Sequence, residues 1–277
     1  MKQHKFLVVG GDKRQKYLFE LLKEHYEHTD FIFGKYEPDT EAALKKLKNA
    51  ENIIFPVPVS QDRIYLFTPK TTQKLPLCQI ADIIPENTTI FGGGSLDSVF
   101  KEKSIKYIDF LGNESMTMKN AMATAEAALS IIISSTEETI FGRSITIMGY
   151  GRIGKILANY LKSMHAVVTV CARRSEVRTQ AYLNGFKTAD FSDCEAITQN
   201  ADIIINTVPH MVIDKRCMLA LKKQPLIIDL ASKPGGVDFA AANELEINAV
   251  QTLSLPGKYS PLSAAEFMFE VIEDVLS

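Results

Sequence analysis

Short apolar runs alternate with helical patterns along the whole chain. Phe6-Leu7-Val8-Val9 is a run of strand length that stops at Gly10-Gly11-Asp12, and the segment after it carries Tyr17, Leu18, Leu21 and Leu22 at helical spacing. Further strands are predicted at 30–33, 52–57 and 89–91, the last just before Gly92-Gly93-Gly94. From Asn120 to Ser135 the sequence is rich in Ala and lacks Gly and Pro, which predicts a long helix opened by Asn120, either as its cap or as a substrate contact. The alternation restarts at Ser144–Met148 and continues with strands near 167–171, 202–206, 226–230 and 248–252, and Ala264–Val275 predicts an amphipathic helix. Strands that alternate with helices in this way are crossovers over a parallel sheet, so the fold class is α/β.

Composition narrows the function more than the fold. A length of 277 residues favours two domains over one. With 31 basic against 33 acidic residues, the chain has no field that would gather nucleic acid or a membrane surface. Cys78, Cys171, Cys194 and Cys217 lack the paired spacing of metal sites or disulfide frameworks, so we expect four reduced core thiols and no metal. The apolar run at the start is too short for a signal peptide and no run is long enough to span a membrane, which makes a cytoplasmic protein the expectation.

Chemistry enters at Ser144-Ile-Thr-Ile-Met-Gly149-Tyr-Gly151-Arg152-Ile153-Gly154, where three glycines follow a strand and open a helix. Gly149 suits the tight turn, Gly151 the close approach of a pyrophosphate, and Gly154 the packing of helix on strand; the free N–H groups of the helix start attract the anion. The next strand, 167–171, ends at Ala172 where an NAD enzyme would carry an acid for the ribose hydroxyls. Arg173, Arg174 and Ser175 follow, two guanidiniums and a hydroxyl suited to a 2′-phosphate, so NADP is the expected cofactor. Downstream, Asn206-Thr207-Val208-Pro209 forms a loop over the cofactor edge, with Asn206 and Thr207 either contacts or turn formers. Asp229-Leu230-Ala231-Ser232 closes a later strand on the same edge; Asp229 either faces the nicotinamide or anchors backbone N–H groups. We therefore expect two doubly wound, Rossmann-like parallel-sheet domains with an interdomain cleft. A flavodoxin-like substrate domain spans 1–120, completed by a helix at 264–277, and an NADP-binding domain spans 121–263, including the linking helix.

Four segments together resemble the family of the dipicolinate synthase A subunit of spore-forming bacilli. They are Val8-Val9-Gly10-Gly11-Asp12-Lys13-Arg14-Gln15, the glycine fingerprint with Ala172-Arg173-Arg174, the run from Ile228 to Phe239 through Ser232-Lys233-Pro234-Gly235-Gly236, and Leu255-Pro256-Gly257-Lys258. The resemblance implies an enzyme that converts dihydrodipicolinate, or its hydrated precursor, into dipicolinate, together with a second, flavoprotein-like B component of the synthase. It also implies the two-domain architecture of the 2-hydroxyacid dehydrogenases, although their Arg-Glu-His set is not evident here.

Aromatising a dihydropyridine dicarboxylate removes a hydride and a proton, so the site needs cations for two carboxylates and a weak base. Arg14 is the candidate for one carboxylate, Ser232 and Lys258 for the other, and His210 or Glu126 for the base, each with a solvated-surface alternative. Gly92-Gly93-Gly94-Ser95 lacks the Gly-Lys-Ser/Thr ending of a triphosphate loop and reads as a turn. Two other functions stay open: an NADP-dependent dehydrogenase of another small 2-oxo, 2-hydroxy or amino acid, and a non-catalytic NADP-sensing regulatory protein. A homo-oligomer is expected.

Overall fold

Among the described residues, the apolar alternation condenses into eleven parallel strands in two sheets, β1 (Lys2–Val9), β2 (Tyr26–Ile32), β3 (Asn52–Ile54), β4 (Thr89–Gly92) and β5 (Lys106–Asp109) forming the first. The computed structural model describes residues 2–34, 40–71, 74–94, 96, 99 and 105–277. Ser95, at the end of the glycine turn considered above, lies outside them. The chain divides into two compact units, Met1–Asn120 with Pro256–Ser277, and Ala121–Leu255.

In the first unit the strand order is β2-β1-β3-β4-β5. The order reverses beside β1, so the loops after β1 and β3 flank the switch point where α/β sheets commonly bind ligands. Leu7, Val9, Ile53, Phe55 and Ile90 share one core cluster with Leu47 of α2 (Thr40–Lys48) and Ile80 of α3 (Leu77–Ile83). On α1 (Lys13–His25), Leu18 and Leu22 are fully buried. The strand expected at 30–33 starts earlier, at Tyr26, because the edge strand β2 pairs with β1 through exposed polar residues that give no apolar signal. The run expected to reach 57 leaves the ladder after Ile54, just ahead of Pro56, which has no N–H to give. Strand β5, with half-exposed side chains, was not expected from the pattern at all.

Helix α4 (Glu114–Ser135) begins six residues before the expected start. Its cap is the Asn113 side chain, which accepts the Met116 N–H at 2.9 Å, so Asn120 sits within the helix and does not open it. That corrects the capping role given to Asn120; the polar first turn hid the true start.

The second unit holds β6 (Ser144–Met148), β7 (Val167–Cys171), β8 (Lys187–Ala189), β9 (Ile203–Asn206), β10 (Leu226–Asp229) and β11 (Ala249–Gln251), in the order β11-β10-β9-β6-β7-β8. This is two mononucleotide-binding halves meeting between β6 and β9. Helices α5 (Arg152–Ser163), α6 (Ser175–Leu183), α7 (Cys194–Thr198), α8 (Lys215–Leu219) and α9 (Phe239–Glu244) make the crossovers. Strand β8 is a short polar edge strand, again without a signal of its own. Residues 256–263, assigned above to the cofactor domain, belong to the first unit, where α10 (Leu255–Tyr259) leads into α11 (Pro261–Leu276). Ala264, Phe267, Met268, Val271 and Ile272 of α11 are buried, and the Tyr26 hydroxyl donates to Glu273.

The expectation of four separate reduced core thiols is also corrected. Cys78 is exposed. Cys194 and Cys217, 23 residues apart, are paired with their sulfurs in bonding distance and Cα atoms 6.0 Å apart, because α7 and α8 lie side by side. Cys171 is a buried free thiol, its pKa pushed up to about 12 by desolvation. Among the described residues, no helix is long and apolar enough to cross a membrane.

Candidate active site

The fingerprint glycines of the second unit have three distinct surroundings. Gly149 has φ of +103°, and a Cβ there would run into the Thr207 hydroxyl and Val208. At Gly154 a Cβ would strike the Gly149 carbonyl oxygen, so this residue sets the closeness of α5 to β6. Gly151 is the N-cap of α5, makes no side-chain cap, and has nothing within 4 Å of where its Cβ would lie. The helix thus starts beside open space at Gly151 with no side-chain cap, and a helix start of this kind is suited to receive an anionic group.

That space belongs to a cavity of about 710 Å³, lined by Gly149–Gly151, Ala172–Arg174, Thr207–Val212, and side chains from α7 and α8. Arg173 and Arg174 are exposed on its rim, and Arg174 lies 3.4 Å from Glu176. The edge they occupy is fastened from behind by Arg178, a residue that sequence reasoning overlooked. Its guanidinium donates to the carbonyls of Ala172 and Arg173, each at 2.7 Å, and to Asp190. The Asp190 carboxyl is held below the usual carboxylate range chiefly by the Ser192 N–H, which together with the Ser192 hydroxyl and the Arg178 charge outweighs desolvation. The signal for Arg178 was its position one helical turn after Arg174, which directs it back to the loop.

Thr207 keeps close to β6, its hydroxyl donating to the Met148 carbonyl at 3.0 Å. Val208, Pro209 and His210 continue along the cavity, with Pro209 and His210 exposed. Asn206 and Asp229, both fully buried, take the turn-forming and anchoring alternatives. The Asn206 amide donates to Asp229 at 2.7 Å and to the Val208 carbonyl, while its own oxygen accepts the Val208 N–H. Asp229 also accepts the N–H groups of Ala231 and Gly236. Their side chains thus shape two loops beside the cavity. A Cβ on Gly236 would meet the Asn206 amide and the carbonyls of Val208 and His210, so the Gly235-Gly236 pair is fitted to this knot.

Other expected cofactor contacts also lie off the cavity lining. Ile153 packs against the apolar core of the unit, Ala231 is buried, and Ser175 and Arg152 are exposed at the starts of α6 and α5. Ser232 is exposed in the loop after β10, its carbonyl accepting the Gly235 N–H. Glu126 is exposed on α4.

In the first unit, Arg14 is buried and paired with Asp12, so it is not the solvated surface residue of the alternative reading. It is 7% exposed, its Nε and one Nη bond both oxygens of Asp12, and that Nη also donates to the Val57 carbonyl. Gly257 closes over the pair: a Cβ there would come within 2.8 Å of Arg14 Nε and 2.9 Å of Asp12. Arg14 thus joins the turns after β1 and β3 to the Leu-Pro-Gly-Lys segment. Lys258, next in that segment, is exposed.

The comparisons with known proteins fit both units. Residues 5–111 match the model of the N-terminal domain of the dipicolinate synthase A subunit. Residues 115–241 match that of the D-isomer specific 2-hydroxyacid dehydrogenase, NAD binding domain. The dipicolinate synthase A subunit of Bacillus subtilis (strain 168) is 26% identical over 99% of this chain and 96% of its own length. The crystal structure of the dipicolinate synthase A chain from Bacillus subtilis superposes with a TM-score of 0.86 at 25% identity, covering 100% of this chain and 96% of that one. A Salmonella D-lactate dehydrogenase shares the fold, with a TM-score of 0.70 at 14% identity over 99% and 97% of the two chains. With these two domains in this order, the chain is a nicotinamide-binding oxidoreductase that is similar, along nearly its whole length, to the dipicolinate synthase A subunit.

Proposed function

We propose that the chain oxidises dihydrodipicolinate, or its hydrated precursor, to dipicolinate with NADP as the preferred cofactor. The observation that carries the cofactor half of this reading is the open, uncapped helix start at Gly151 beside an edge that ends in Ala172-Arg173-Arg174. The substrate half rests on the full-length likeness to the dipicolinate synthase of Bacillus subtilis. Bound nicotinamide in its oxidised form supplies the hydride acceptor. The N–H groups at the start of α5 hold the pyrophosphate, and Arg173 with Arg174 holds the 2′-phosphate through paired, charge-assisted hydrogen bonds. Thr207 to Pro209 wall the cavity. His210, exposed on the same loop, takes the proton that leaves when the ring becomes aromatic. The exposed Lys258 and Ser232 remain the candidates for the substrate carboxylates. The relative is named as one component of a multi-chain synthase, and in this reading a partner chain completes the enzyme here too.

The test is to incubate the chain with dihydrodipicolinate and either NADP or NAD, with and without the partner chain, while following the absorbance of reduced cofactor and of product. Reduced NADP should appear with dipicolinate in equal amounts, faster than reduced NAD. Equal affinity for the two nucleotides removes the NADP preference; no cofactor reduction in any mixture removes the reaction.

A further inference from the structure

The cavity has a second positive edge that the nucleotide reading does not use. Arg216, on α8, lines it from a crossover of the sheet separate from the one that carries Ala172–Arg174. Among the described residues, three guanidiniums therefore line the cavity, Arg173, Arg174 and Arg216, against one carboxylate, Asp214, whose Oδ1 is occupied by the Cys217 N–H at 2.9 Å. Such an excess of positive charge around a concave surface calls for an anion with more than one negative charge. Arg216 is held at present by Glu195, its Nε 2.8 Å from the carboxylate, with the two side chains 72% and 47% exposed. Arg174 is held in the same way by Glu176. Exposed ion pairs of this kind are worth little, so both arginines can exchange a glutamate for a stronger anion.

We propose that Arg216 is a specificity-determining ligand of the cofactor's 2′-phosphate, released from Glu195 when that phosphate enters. A phosphate monoester carries about −1.5 to −2 charges and three acceptor oxygens. It can therefore engage a fork from each edge of the cavity at once, where the ribose hydroxyl of NAD offers one weak acceptor and no charge. Glu195 sets the threshold: it competes with the phosphate for Arg216 and keeps the edge from binding smaller anions. This inference rests on the NADP reading above and adds to it the second edge of the site.

The experiment measures calorimetric binding of adenosine 2′,5′-bisphosphate and adenosine 5′-monophosphate to the full chain, probes that carry or lack the phosphate and contain no nicotinamide. Arg216→Ala should weaken the bisphosphate about tenfold, the scale of a charge-assisted hydrogen bond, and leave the monophosphate within about twofold. Glu195→Gln should tighten the bisphosphate about two- to threefold by removing the competitor. Equal weakening of both probes by Arg216→Ala would mean that the side chain packs on the adenine and overturns the proposal. No change in either probe, or no gain in Glu195→Gln, overturns it as well. If the wild-type chain binds both probes alike, the NADP reading itself fails; if Arg173→Ala with Arg174→Ala abolishes the discrimination and Arg216→Ala preserves it, only the Arg216 inference falls.

Discussion

In each unit the first strand leads through a glycine turn into a helix, and the two turns have opposite fates. After β6 the helix start is capped by a glycine that makes no side-chain bond and faces open space. After β1 the cap is Asp12, whose carboxylate accepts the Arg14 N–H at 3.0 Å, binds the Arg14 guanidinium, and lies beneath Gly257. The first helix start thus has a carboxylate of its own where the second has room for one from outside. A helix N-terminus attracts negative charge in either case. What separates a structural joint from a binding site is whether the chain supplies the anion.

The contrast breaks most severely at Asp12. Asp12→Ala removes the cap and leaves the buried Arg14 charge without its partner, and should cost about 3–5 kcal/mol of stability in urea unfolding, with nucleotide affinity unchanged. A loss below about 1 kcal/mol would show the pair to be dispensable. Gly154→Ala comes next. Its methyl group meets the Gly149 carbonyl oxygen, backbone against backbone, so we expect a loss of about 1–3 kcal/mol and weaker dinucleotide binding. Gly151→Ala, which meets nothing, should leave stability nearly unchanged and so controls for the loss of glycine itself.

The sharpest form of the comparison converts one turn into the other. Gly151→Asp places a carboxylate cap on α5 at a position whose φ of −80° any residue adopts. Thermal unfolding should show a gain of up to about 1 kcal/mol, while dinucleotide affinity falls at least about tenfold because the carboxylate occupies and repels the pyrophosphate position. Retained affinity in a folded Gly151→Asp protein would move the nucleotide elsewhere.

The smallest effect concerns the edge held by Arg178. Because the folded-state pKa of Asp190 is lowered, its contribution to stability is present above the unfolded value of about 3.9 and is lost as pH falls through the folded value. A carboxyl-carbon NMR titration should therefore place the Asp190 midpoint below that of an exposed aspartate. A midpoint at or above the ordinary value would mean that the Ser192 N–H and Arg178 do not hold this carboxylate in solution.

Legibility followed the range of the interactions. The strands β6 and β7 could be read to the residue because they are apolar runs bounded by a glycine turn and a charged loop. The edge strands β5 and β8 could not, since a strand paired on one side carries polar residues that resemble a loop. In the candidate site, Gly149, Gly151, Gly154, Arg173 and Arg174 were legible because a fingerprint is local. Arg216 was not, because nothing in Asp214-Lys-Arg-Cys marks it until α8 is folded against the cavity.

By itself the sequence determined the two α/β halves, their glycine turns and the absence of an acid after β7, for these are properties of short consecutive stretches. Only the tertiary structure decided which turn is filled. Arg14 meets a carbonyl 43 residues away and lies beneath Gly257, Asn206 meets Asp229 across 23 residues, and Cys194 meets Cys217 across the same separation. The physical reason is that a buried polar group must find its partners wherever the fold brings them. Whether an arginine or an aspartate is spent on the protein or left for a ligand is settled by those distant partners, which no local pattern reveals.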